Sequence, residues 1–554
     1  MIKRMWLLLL LAFQLGGAVQ AQYFLNPILA GYYPDPSICR AGDDYYIVNS
    51  SFAYYPGLPL FHSKDLLNWK QIGYAMNRPE QLNLDGAGVS RGLYAPAISY
   101  HKGIFYIVCT EVGRLGNFVI TAKDPAGPWS DPVQLPQVNG IDPSLFFDDN
   151  GKAFIVFNSI PPNNISLHDG HRTIRMFEFD ATNLKVVGEE KILVNGGIDM
   201  SKKPVWIEGP HLIKKDGWYY LICAEGGTGY NHSEVVFRSK SLSEPFVSFE
   251  GNPILTQRQL NPNRANPITT TGHADFVEAK DGKWWGVFLG CRPYEGDFYN
   301  TGRETFMAPV VWKNGWPAFE LGGEQVQYRY PIDAVADAKF SALNGNYIFR
   351  DEFDSPTLSL RYQFLRTLRS PWYSLTEKPG SLVLSPQPET CSGTGNPSMI
   401  GFHQPHIKGT VSTSVSFNTE TENEKAGLLL FQNEKAHYFL CKTKKLGKDI
   451  VQLIKGDSVL VEKEIIVKKN AAIDFKVEAN GAYYSFYFAT KKGQWKPLLQ
   501  NADAKYLSTA KSGGFVGTVY AMYATANGKQ AQNNAYFHWF EVSNNDDVYK
   551  EIKK

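Results

Sequence analysis

The sequence predicts an all-β protein, a five-bladed β-propeller followed by a β-sandwich. Three observations carry this. A strand–turn–aromatic-strand unit recurs five times before residue 335, helical 3.6-residue periodicity is weak throughout, and period-two alternation resumes after residue 349. At 554 residues the chain exceeds one ordinary core, so two domains are the natural division.

Residues 1–21 read as a signal peptide. Met1-Ile-Lys-Arg supplies the positive charge, Met5 to Leu15 the apolar run, and Gly16 to Ala21 the small residues before cleavage after Ala21. The alternative is a membrane anchor, but the run is shorter than the roughly 20 residues a span needs. No cysteine follows the small residues to carry a lipid, and no later stretch is long and apolar enough to span. The expectation is a periplasmic or secreted protein without a membrane partner.

Residues 22–335 hold the repeat. The aromatic strands are Asp44-Tyr-Tyr-Ile-Val, Gly103-Ile-Phe-Tyr-Ile-Val, Gly151-Lys-Ala-Phe-Ile-Val, Asp216-Gly-Trp-Tyr-Tyr-Leu-Ile and Asp281-Gly-Lys-Trp-Trp-Gly-Val. Each is preceded by a short partner: Pro34-Asp-Pro-Ser-Ile, Tyr94-Ala-Pro-Ala-Ile, Ile141-Asp-Pro-Ser-Leu, Ile207-Glu-Gly-Pro-His-Leu and Gly272-His-Ala-Asp-Phe. Segments such as His62 to Trp69, Thr121 to Trp129 and Ser239 to Phe246 look like outer strands with their turns. With positions 35, 95, 142, 208 and 273 equivalent, the steps are 60, 47, 66 and 65 residues. That length suits one four-stranded sheet per repeat and is too long for a solenoid coil.

The rhythm stops after Pro317, and Leu321 to Asn346 reads as a connector. Residues 345–545 form the second domain, with runs such as Gly409 to Phe417, Asp474-Phe-Lys-Val-Glu and Tyr483 to Ala489. Their alternation with charged turns indicates a half-buried antiparallel sandwich.

Composition narrows the partners. Lys plus Arg number 56 and Asp plus Glu 54, so there is no net field to hold nucleic acid or an anionic surface, and a neutral substrate fits better. Six widely spaced cysteines, several inside apolar strands, read as buried thiols. Aromatic residues make up 14% of the chain and serve equally in strands and as platforms for sugar rings.

The innermost strand of each blade lines the central channel, so residues at one phase of the repeat converge. That phase holds Asp35, Ala95, Asp142, Glu208 and His273. Singly, each carboxylate could be a turn residue. Three in one enclosed funnel oppose full ionisation, so one should keep its proton and serve as a general acid. An acid and a base across a cleft are what glycosidic hydrolysis requires.

At these residues the sequence resembles glycoside hydrolase family 43. The matching stretches are Asn26 to Ser37, Ile141-Asp-Pro-Ser-Leu145, Trp206-Ile-Glu-Gly-Pro-His211, Ala224-Glu-Gly-Gly-Thr228, Gly272-His-Ala274 and Gly302-Arg-Glu-Thr305. The second domain resembles the concanavalin-like β-sandwich of the xylosidase branch. The resemblance implies an inverting exo-acting hydrolase that releases terminal pentose, β-D-xylose foremost, from xylan-derived plant cell-wall oligosaccharides. α-L-Arabinofuranosidase or dual activity on arabinoxylan is the alternative.

By the same resemblance Asp35 is the general base, Glu208 the general acid and Asp142 the residue that orients the acid and raises its pKa. Inversion asks for about 6.5–9.5 Å between base and acid. Arg292 matches an arginine that reaches the sugar and the acidic cluster, against the alternative of a surface salt bridge. Phe52 and Tyr94 match aromatic positions of the terminal sugar subsite, with strand packing as the alternative. Tyr94 stands where Trp is usual, Ala97 where His is frequent and Cys291 where Gly is frequent, which blurs the sugar preference. No cofactor is required. His273 matches a histidine that in some relatives meets calcium, with a satisfied core histidine as the alternative. The sequence leaves a homo-oligomer open.

Two other classes compete. Fructan-cleaving propellers also use an acidic trio, but their Asn-Asp-Pro-Asn opening is absent. A non-catalytic carbohydrate-binding protein would use the aromatics and have no need of the three carboxylates.

Overall fold

The computed structural model describes residues 22–335 and 342–550, so the signal-peptide assignment lies outside the described residues. The described chain is almost wholly strand; its one α-helix is the single turn Thr509–Ser512. The architecture is the five-bladed propeller and β-sandwich expected from the repeat.

Each blade is an antiparallel sheet meandering outward from the axis. Blade one runs through Ser37–Ala41, Asp44–Val48, Gly57–Ser63 and Lys70–Met76. The innermost strands of the others are Ala97–His101, Ile141–Phe147, Glu208–Lys215 and Thr269–Glu278. The aromatic strands found in the sequence are the second strands, buried on both faces between neighbouring blades, which is why they read as nearly continuous apolar runs.

Inner strands are stitched to one another by buried polar groups. Asp275 of blade five accepts from Ser37 Oγ at 2.7 Å and from the Ile38 amide at 2.9 Å in blade one. Ser37 Oγ in turn accepts from the Ile98 amide of blade two at 3.0 Å. These bonds satisfy groups that cannot reach water and fix the blades' relative rotation.

The ring is closed by a strand that the sequence left inside a connector. Arg329–Ile332 pairs antiparallel with Gln22–Leu25. Asn26 then exchanges hydrogen bonds with the backbone of Met307 in blade five, at 2.8 and 3.0 Å. A four-residue strand lacks enough alternation to be seen locally, and its partner lies at the other end of the domain.

The sandwich consists of two eight-stranded sheets among the described residues. Val411, Val415, Phe475, Val477 and Phe537 of one face Leu428, Leu430, Leu440 and Met522 of the other in one buried cluster. One edge strand of the second sheet comes from the propeller. Tyr54–Tyr55, in blade one, pairs with Tyr362–Leu365 of the sandwich. The two domains therefore share a sheet, and the same apolar cluster continues into Leu60, Leu93 and Ile107 of blades one and two.

All six cysteines are free thiols, and five are buried.

Candidate active site

A cavity of about 330 Å³ opens at one end of the propeller axis, and Asp35, Asp142, Glu208 and His273 all line it. Their convergence follows from the repeat, but their aim depends on a local distortion. Asp35, Asp142 and His273 adopt left-handed backbone, with φ of 51°, 54° and 55°. The inner strands of blades three, four and five break register at Ile141/Ser144, at Glu208/His211 and around Gly272. Such bulges turn a side chain out of the sheet and toward the axis, and the strain persists because neighbouring blades hold it.

The three carboxylates are buried in different company. Asp35 receives Arg303 Nη1 at 2.9 Å and Ser50 Oγ at 2.6 Å, and His273 Nδ1 stands 3.8 Å away. Burial alone would raise its pKa; Arg303, with help from His273 and Ser50, reverses this and holds it below the ordinary carboxylate value. Asp142 accepts the Gly209 amide at 3.2 Å, and burial together with the Asp35 charge pushes it up to about 7. Glu208 is raised well above its usual value, by burial first and then by Asp142 and Asp35. Two carboxyl groups of one cavity are thus biased in opposite directions, Asp35 toward the ionised form and Glu208 toward the protonated one.

Four aromatic rings, Phe52, Tyr94, Trp206 and Phe515, form part of the remaining wall. Phe52 and Tyr94 both line the cavity, with ring centroids 5.2 Å apart. Phe52 stacks on Phe515 at 5.8 Å. Trp206 lines the cavity beside Glu208, and its Nε1 donates to Glu208 Oε2 at 2.5 Å.

Arg292 is not a site residue, which corrects the sequence-based expectation. It is buried in the domain interface, where Glu304 grips it through Nε at 2.6 Å and Nη2 at 2.8 Å. Tyr549 Oη and the Pro405 carbonyl accept its remaining bonds. The arginine that meets the acidic cluster is Arg303, 5.8 Å from the Phe52 ring and 5.7 Å from that of Phe515. Arg303 and Glu304 are consecutive, so the first serves the cavity and the second clamps Arg292. Gly302-Arg-Glu-Thr305 was visible in the sequence, but nothing local distinguishes which arginine turns inward.

His273 faces the acidic cluster, with Nδ1 3.8 Å from the Asp35 carboxylate. Hard cations take six to eight oxygen ligands. The His273 ring faces Asp35, which is already engaged by Arg303, and packs so closely on Gly209 that a Cβ there would lie 2.7 Å from Nε2. Burial lowers its pKa to about 4, leaving a neutral ring. Among the described residues no group of three or more His, Cys, Asp or Glu side chains is placed to hold a metal.

Phe515 and Trp206 escaped sequence reasoning. Phe515 belongs to the sandwich, and its amide is fixed by Ser90 Oγ at 3.0 Å. Only the folded interface brings it to the cavity. Trp206 belongs to the stretch Trp206-Ile-Glu-Gly-Pro-His211, which carries no signal for the direction of its indole.

Both domains match known protein families. Residues 24–317 match the model of glycosyl hydrolases family 43, and residues 350–543 match the beta xylosidase C-terminal concanavalin A-like domain. The chain is 40% identical over 525 residues to a xylosidase/arabinosidase of Butyrivibrio fibrisolvens, covering 93% of this chain and 98% of that protein. It is 38% identical over 523 residues to a non-reducing end alpha-L-arabinofuranosidase of Bacteroides ovatus, covering 94% of each. The crystal structure of a xylan beta-1,4-xylosidase from Bacillus halodurans superposes with a TM-score of 0.85 at 31% identity, over 94% of this chain and 100% of that one. With both domains matched and the acidic trio gathered at the propeller axis, the chain belongs to glycosyl hydrolases family 43.

Proposed function

We propose that the protein is an inverting, exo-acting pentosidase that removes terminal β-D-xylose from xylan-derived oligosaccharides of the plant cell wall. The observation that carries the reading is the opposite bias of two carboxyl groups in one cavity: Asp35 kept ionised by Arg303, Glu208 kept protonated by burial and by Asp142. Asp35 takes a proton from water as the water oxygen attacks the anomeric carbon. Glu208 delivers its proton to the glycosidic oxygen as the C–O bond breaks. Asp142 ties down the amide that follows Glu208 and raises the acid's pKa through its charge. Bulk water then returns the proton from Asp35 to Glu208.

Exo action is supported by the size of the cavity and by the Phe515 ring that the sandwich sets into its wall. A terminal sugar would lie among Phe52, Tyr94 and Phe515, whose faces suit the apolar C–H surface of a pyranose. Release of α-L-arabinofuranose, alone or besides xylose, is the second reading, favoured by the names of the Butyrivibrio and Bacteroides relatives. The chemistry at Asp35 and Glu208 is the same in both. No metal enters the proposed chemistry. We further propose export to the periplasm or beyond, supported by the charge and apolar run of residues 1–21.

The test is hydrolysis of para-nitrophenyl β-D-xyloside and α-L-arabinofuranoside by the protein, Glu208→Gln and Asp35→Asn. Release from either substrate that vanishes in both variants supports the reading, and the ratio between substrates assigns the sugar. Silence of the folded protein on both overturns the exo-pentosidase reading.

A further inference from the structure

Glu208 is held from one side only. Its Oε2 accepts the indole N–H of Trp206 at 2.5 Å, whereas Oε1 is buried and has no protein partner. The indole is itself firmly set. The Trp206 backbone takes a left-handed φ of 57°, its amide donates to the Gly170 carbonyl at 2.7 Å, and the Arg172 guanidinium lies 3.8 Å above its ring. Left-handed backbone on a bulky residue is costly and persists only where the surroundings impose it.

An indole nitrogen only donates. A protonated carboxyl facing it must turn its bare oxygen toward the donor and carry the hydrogen on the other. We propose that Trp206 is a positioning residue for the general acid: by engaging Oε2 as an acceptor it keeps the acidic proton on Oε1, the oxygen left free for the glycosidic oxygen. The same bond strengthens as the reaction proceeds. When Oε1 gives up its proton the carboxylate becomes charged, and an N–H bond to a charged oxygen is shorter and roughly twice as strong as one to a neutral group. Trp206 therefore stabilises the transition state more than the ground state, the condition for raising kcat. This inference rests on the assignment of Glu208 as the acid.

Trp206→Phe keeps the ring under Arg172 and deletes the donor. The measurement is kcat across aryl glycosides of the sugar the protein cleaves, from dinitrophenyl, which departs without protonation, to phenyl, which needs it, each over a range of pH. The kcat ratio of phenyl to dinitrophenyl substrate should fall about tenfold, the scale of one charge-assisted hydrogen bond. The alkaline limb should move to higher pH, because losing a donor to the carboxylate favours the protonated form. Trp206→Gln, which restores an N–H, should recover part of the ratio, and Trp206→Met, of similar length without a donor, should not. The Gln–Met pair decides the matter if Trp206→Phe does not fold. Equal losses on both substrates with an unmoved alkaline limb would reduce Trp206 to a wall of the cavity and overturn the proposal. Glu208→Gln in the same series separates the two failures. If it shows no selective loss on phenyl substrate, the acid assignment itself falls; if it does and Trp206→Phe does not, only the role of Trp206 falls.

Discussion

Arg303 donates to Asp35 through Nη1 at 2.9 Å, and both side chains are almost wholly buried. This pair biases one carboxylate of the cavity toward the ionised form, while burial and the other two carboxylates bias Glu208 toward the protonated one. Arg303→Met should therefore raise the Asp35 pKa. With Asp35 as the proposed base, which must be ionised to act, the acid limb of kcat/KM should move to higher pH, and the plateau should fall by roughly 10²-fold. A pH–rate profile of the variant on an aryl glycoside checks both.

The same pair carries a stability consequence. A carboxylate whose folded pKa is depressed adds stability that is present above its unfolded value, about 3.9, and is lost as pH falls through the lower folded value. Arg303→Met should cost roughly 3–5 kcal/mol at neutral pH by leaving a buried charge unpaired. That cost should shrink below about pH 4, where Asp35 takes up a proton in the variant and in the unfolded chain. Denaturant melts at pH 7 and pH 4 measure the difference.

Glu208 has the opposite sign. Its raised folded pKa means that stability falls as pH climbs from the unfolded value, about 4.3, toward the folded one. Glu208→Gln removes that liability together with the activity. The variant should be more stable than the parent at pH 8 by about 0.5–2 kcal/mol, and the gain should vanish near pH 4. Thermal melts of the two proteins across that range provide the check.

Arg292 and Phe515 should separate in their effects. Arg292→Met breaks a buried pair with Glu304 in the domain interface, so it should lower stability by roughly 3–5 kcal/mol while the folded fraction keeps its KM. Phe515→Ala removes a ring from the cavity wall and should raise KM about tenfold with a smaller change in melting temperature. Steady-state kinetics beside calorimetry distinguish the two.

The propeller should not survive alone. Tyr54–Tyr55 is an edge strand of the sandwich, and Phe52 of the cavity wall lies two residues before it. A chain ending at residue 335 exposes that strand and the apolar surface around Leu60 and Leu93. It should be insoluble or inactive, as expression of residues 22–335 followed by circular dichroism and the aryl glycoside assay would report.

The architecture and the convergence of the acidic trio are legible in the sequence alone. Both follow from short-range periodicity: a strand–turn–strand unit repeated five times places Asp35, Asp142 and Glu208 at one phase, and closing the blades into a ring brings that phase to the axis. Phe52 and Tyr94 came from the family resemblance rather than from the repeat, and both line the cavity. Which arginine serves the cavity, which ring completes it and how Glu208 is held emerge only from long-range packing. Arg292 and Arg303 look alike in a sequence, and their destinations depend on partners from distant segments: Glu304, Tyr549 and Pro405 for one, Asp35 for the other. Phe515 reaches the cavity through the packing of a second domain, and the Trp206 indole is set by its own left-handed backbone and by Arg172 over its ring, which no hydrophobic pattern encodes. Periodicity fixes where a backbone goes; the protonation and aim of a buried side chain are set by whatever else the fold packs against it.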